Sequence, residues 1–115
     1  MFYTGGPGRF YRQPYAEPGM IYTPAVAEWF QGLDITVYAT DTAGNELNPA
    51  PPGQPASPLH AALMRNLGVV FMELLWLEDL AKACADDGRY EGLFVAAPLK
   101  VVGGTGGPVN PVVIK

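Results

Sequence analysis

The 115 residues carry 7 Lys and Arg against 11 Asp and Glu, a formal net charge of -4. That excludes the basic footprint nucleic-acid binding requires. Hydrophobic residues make up 49% and charged ones 16%, so a disordered acidic tail is excluded as well and one domain spanning 1–115 has material for a core. One cysteine and one histidine rule out an internal disulfide and any zinc site built only from several His or Cys side chains.

Glycine and proline, at 14 and 12 residues, predict long loops. Residues 1–22 are rich in Gly, Pro and aromatic side chains, which favours a fixed arm packed by its own rings, suited to a pocket wall or an interface. Arg9 and Arg12 beside Phe10, Tyr11 and Tyr15 are too few to bind nucleic acid. The start, Met1 to Gly6, has neither a basic nor an apolar signal region, and Glu73 and Pro98 interrupt the longest apolar stretches. No membrane span or export signal is expected, and the lone cysteine fits a reducing, cytoplasmic location.

Thr23-Pro24 supplies an N-cap and an N1 proline for a helix that Gly32 can end. Ile35 to Thr40 are β-branched, aromatic or alternating, which predicts a strand ending at Asp41. Pro49, Pro51, Pro52 and Pro55 make 42–56 a long loop. Ser57-Pro58 repeats the cap signature; Leu59, Leu63 and Leu67 trace one face of a second helix, stopped by Gly68. A short strand, Val69 to Met72, runs into Glu73. A third helix is predicted over Leu77 to Ala85, closed by Asp86-Asp87-Gly88. Strands over Tyr90 to Ala97 and Val109 to Ile114 complete an α/β chain arranged in one layer, with no internal repeat.

Few residues carry chemistry. The Gly103 to Gly107 loop resembles a phosphate cradle, but Pro108-Val109-Asn110-Pro111 cannot open the helix such a cradle needs, so a tight turn between strands is expected. Cys84 shares an apolar helical face with Ala81 and Ala85 and has no histidine near it in sequence, which predicts inert packing. Ser57 lacks a nucleophile-elbow context and reads as a cap. His60, near N3 of the second helix at the positive end of its dipole, is either a solvated first-turn residue or a metal ligand or proton acceptor. Glu73 ends an apolar strand, where an ionised carboxylate is costly unless paired, and either points at water or joins His60 in a site. Asp41, at a neighbouring strand edge, is a third candidate carboxylate.

The runs His60-Ala61-Ala62-Leu63, Gly68-Val69-Val70-Phe71-Met72-Glu73, Pro98-Leu99-Lys100-Val101-Val102-Gly103 and Gly106-Gly107-Pro108-Val109 resemble the C-terminal half of the cyclase family, the kynurenine formamidase-like metal-dependent hydrolases. Pro18-Gly19, the helix with Trp29 and the strand ending in Thr40-Asp41 also fit. The resemblance implies a swivelling β/β/α fold, of which this chain is the C-terminal half. It implies a zinc or manganese site, oligomers with pockets near subunit contacts, and hydrolysis of non-peptide C–N bonds in formamides or cyclic amides. The family's helical histidine and subsequent glutamate match His60 and Glu73, which implies catalytic roles for both, as ligands of a second metal or in proton transfer. The family's principal metal motif, His-x-Gly-Thr-His-x-Asp-x-Pro, has no counterpart here, and Gly107 stands where a serine is common. The segment between Leu74 and Leu80 is a residue shorter than the common pattern. The expectation is half of a hydrolase, completed in a homo-oligomer or by a separate chain bearing the other half. It would act on a small amide, without nucleic acid or membrane. A non-catalytic assembly or small-molecule-binding domain that lost the metal half is the alternative.

Overall fold

In a computed structural model, residues 1–5, 14 and 16–115 are described. Most of the aromatic arm, including Arg9, Phe10, Tyr11, Arg12 and Tyr15, lies outside them. The chain forms two compact units, Met1–Glu78 and Asp79–Lys115.

In the first unit, helix α1 spans Pro24–Gly32, and the Thr23 side chain accepts a hydrogen bond from the Val26 amide, as the cap signature requires. Strand β1, Val37–Ala39, pairs in parallel with β2, Val70–Met72, in the register Val37–Val70, Tyr38–Phe71, Ala39–Met72. A parallel pair needs a crossover, and the loop 42–56 with the second helix provides it. That helix differs from expectation. Between α-helical residues at 58–59 and 67 it is a π-helix over His60–Asn66, a conformation found mostly as short insertions and often at functional sites. Gly68, at φ +73°, ends it in the left-handed conformation.

Phe30, Tyr38, Leu59, Leu63 and Val69 form the core. Tyr38 is its hub: its ring meets Phe2, Phe30 and Phe71 edge-on at centroid distances of 5.3–5.7 Å. Phe2 bridges to Thr40, which lays the N-terminus in parallel beside β1.

Helix α2, Glu78–Asp87, belongs to the second unit from Asp79 onward, and there β3, Leu93–Val95, pairs antiparallel with β4, Val112–Ile114. The single layer expected from the sequence is not what forms: the two strand pairs belong to separate sheets. The glycine-rich segment explains why. It turns the chain back locally, with Pro98 bridged to Val109, the Leu99 amide bonded to the Pro108 carbonyl and Gly103 at φ +73°. An antiparallel return of this kind needs no crossover. Cys84 is buried on α2, where Lys115 Nζ lies 3.4 Å from its sulfur and 2.8 Å from Asp87 Oδ1.

Among the described residues, no helix is long and apolar enough to cross a membrane.

Candidate functional site

Parallel strands β1 and β2 end together, and the backbone stitches the segments beyond their ends: the Leu74 amide donates to the Thr42 carbonyl and the Leu75 amide to that of Thr40, at 2.9 and 3.1 Å. The carboxyl ends of parallel strands are where α/β sheets commonly place ligands. Glu73 sits there, one residue beyond β2.

The structure brings His60 to this place. Its Nε2 is 3.4 Å from Glu73 Oε1, and its ring lies edge-on to Phe71 with centroids 4.7 Å apart. At 3.4 Å the pair is longer than a formed hydrogen bond, a common state of catalytic contacts before substrate arrives. Burial raises the Glu73 carboxyl above its ordinary value, the charges of Glu17 and Glu46 push the same way, and His60 opposes them. A half-exposed carboxyl with that balance is suited to exchanging a proton with an imidazole.

Glu46 was not foreseen. It is 6% exposed, and a carboxylate buried to that degree needs partners. Its Oε2 accepts the Leu59 amide at 2.9 Å, and its Oε1 accepts the His60 amide at 2.9 Å and faces His60 Nδ1 at 2.5 Å. These are the first-turn amides that an N-cap side chain normally serves. Ser57, expected as that cap, is exposed; Glu46 takes its place from 11 positions earlier in the chain.

The loop brings Glu46 in through a buried polar network. Asn45, fully buried and at φ +55°, tolerates the left-handed region as few residues do. Its carbonyl accepts the Tyr38 hydroxyl at 2.7 Å, and its side chain engages Thr40 Oγ1 and, at 3.4 Å, the Tyr38 carbonyl. On the other side, the Leu47 amide donates to the Met20 carbonyl at 3.1 Å, and Glu17 pairs with Asn48 through the backbone while its Oε1 accepts the Ala43 amide at 2.6 Å. Gly19 has no room for a side chain, since a Cβ there would meet the Glu46 carbonyl. The one signal in the sequence was Gly44-Asn45, a turn-prone pair immediately before an acidic residue.

Asp41, the third carboxylate considered, holds a different segment: its Oδ1 accepts both the amide and the hydroxyl of Thr4 at 2.9 Å. A cleft of about 330 Å³ opens at the other, N-terminal ends of the strands, lined by residues that include Phe30, Asp34, Thr36, Asn66 and Val69, and it does not include the His60 group.

No protein-family model matches the chain, and no curated protein does. A solved crystal structure of a novel cyclase does match, with 36% sequence identity and a TM-score of 0.73 over 87% of this chain. The chain is similar to a cyclase. It spans 31% of that cyclase's length, about a third. The cyclase relation therefore covers nearly all of this chain and agrees with the resemblance read from the sequence runs. The swivelling β/β/α description and the formamidase-like assignment are finer than this match.

Proposed function

We propose that this chain supplies the proton-transfer part of a hydrolase site that acts on a non-peptide C–N bond, in a formamide or a cyclic amide. The observation that carries the reading is His60 Nε2 facing Glu73 Oε1 at 3.4 Å beyond the carboxyl end of β2, in a chain similar to a cyclase. Amide hydrolysis adds water across the C–N bond, and the amine departs only when its nitrogen gains a proton. His60 takes a proton from the attacking water at Nε2 and returns it to the leaving nitrogen. Glu73, its carboxyl raised by burial, steadies the imidazolium formed between those two events.

Zinc or manganese, which the family resemblance implies, does not fit a site made by this chain alone. Among the described residues no three His, Cys, Asp or Glu side chains cluster so as to hold a metal. His60 and Glu73 offer two donors, and both oxygens of Glu46 are already engaged by N–H groups. The part we assign to these residues is proton handling, with the rest of the site supplied from outside them. Large apolar side chains left in the open support such an assembly: Trp76 is 67% exposed and Val102 95%.

The test is turnover of N-formyl arylamines and small cyclic amides by the complete protein, monitored by release of the amine. Hydrolysis of these and not of ordinary peptides is the expected result. A complete, folded protein that binds such amides without hydrolysing them would favour a non-catalytic binding domain.

A further inference from the structure

We propose that Glu46 is a positioning residue: it fixes His60 as the Nδ1–H tautomer and thereby turns the free nitrogen, Nε2, toward Glu73. Backbone N–H groups can only donate, and both Glu46 oxygens receive one, Oε2 from Leu59 and Oε1 from His60, each at 2.9 Å. The carboxylate is thus fixed on the helix backbone as an acceptor at both ends. His60 Nδ1 faces one of those acceptor oxygens at 2.5 Å, so Nδ1 carries the proton.

Turning the ring over would set a carbon against Oε1 and forfeit a charge-assisted hydrogen bond. The edge contact with Phe71 holds the ring on its other side. One carboxylate therefore does two jobs, capping the helix and choosing the nitrogen that works. Glu46 is itself held by the Gly19 contact and by the buried Asn45 next to it, so the orientation of the imidazole is tied to the path of the 42–56 loop.

The catalytic consequence rests on the proton-transfer reading above; the tautomer does not, and the two fail separately. His60 is the only histidine, so the imidazole region of the ¹H–¹⁵N spectrum of the labelled chain holds a single pattern. Recorded where the ring is neutral, the wild-type spectrum should show Nδ1 protonated and Nε2 unprotonated. Free imidazole side chains favour the opposite form. In Glu46→Gln an amide cannot accept at both ends, and the population should move toward Nε2–H while the signals of the Phe30 and Leu63 core persist.

An Nε2–H pattern in the wild type overturns the proposal even if the variant fails to fold. So does an unchanged tautomer in a folded Glu46→Gln chain. In the complete protein, the variant should lower kcat by about 10- to 100-fold, as losing an orienting partner commonly does, with KM nearly unchanged. A KM effect alone contradicts the positioning role.

Discussion

Replacing Tyr38 by Phe removes one oxygen from the centre of the first unit. The hydroxyl donates to the Asn45 carbonyl at 2.7 Å, and Tyr38 is 2% exposed. Without it the buried carbonyl is left unpaired, at a cost of about 1–3 kcal/mol. The same burial pushes the phenol up from 10.0 to about 12. A folded state that holds its proton over that interval, while the unfolded chain has lost it, becomes less stable as pH rises through it. Wild-type stability from this group is nearly complete below pH 10 and falls by about 2 kcal/mol by pH 12. Tyr38→Phe lacks the group and lacks the fall. The wild type should therefore be the more stable protein at pH 8, and the gap should close or invert by pH 12. Urea unfolding monitored by tryptophan fluorescence measures it, because Trp29 and Trp76, the chain's two tryptophans, both lie in the unit that holds Tyr38. A stability difference that stays constant from pH 8 to 12 would refute the reasoning.

Leu63→Ala empties a fully buried position on the second helix and should cost about 2–5 kcal/mol in the same unfolding assay. Gly19→Ala forces a methyl against the Glu46 backbone; it should cost about 1–3 kcal/mol and, in the single-histidine spectrum, mix the His60 tautomers, whereas an unchanged spectrum would show that the loop is not what holds the carboxylate. In light scattering the chain should assemble with itself or with the remainder of the site, since two-stranded sheets leave edges to be covered; a soluble 12.3 kDa monomer with no partner argues against the assembly.

The first helix was legible because its signals are local: Thr23 caps it, Pro24 opens it, and the structure runs Pro24–Gly32. The strands before Asp41 and Glu73 were legible from β-branched and apolar runs, although each pairs over only three residues, where the chain bends away. Leu59, Leu63 and Leu67 fixed the buried face of the second helix. They could not distinguish a wider turn from an ordinary one, because apolar spacing reports a face and not a hydrogen-bond pattern. His60 at a helix start and Glu73 at the end of an apolar strand were a candidate pair beside plainer readings, the family resemblance favoured the pair, and the structure sets them 3.4 Å apart. Glu46 was hidden for a physical reason. Its contact crosses 14 positions through a proline-rich loop whose path depends on buried Asn45 and on close packing at Gly19, and neither leaves a periodic trace. Ser57 was misread for the same reason, since a carboxylate from outside the helix already occupied the amides it was expected to cap.

The most direct test of the central claim is turnover of an N-formyl arylamine by the complete protein carrying His60→Ala, with a thermal melt beside it. After the substitution Glu46 still accepts the amides of residues 59 and 60, so the protein should still fold, losing about 1.5–3 kcal/mol with the hydrogen bond to the buried carboxylate. The account predicts a fall in kcat of roughly 10² to 10⁴ with a cooperative melt retained. Wild-type turnover in a folded His60→Ala protein would contradict it.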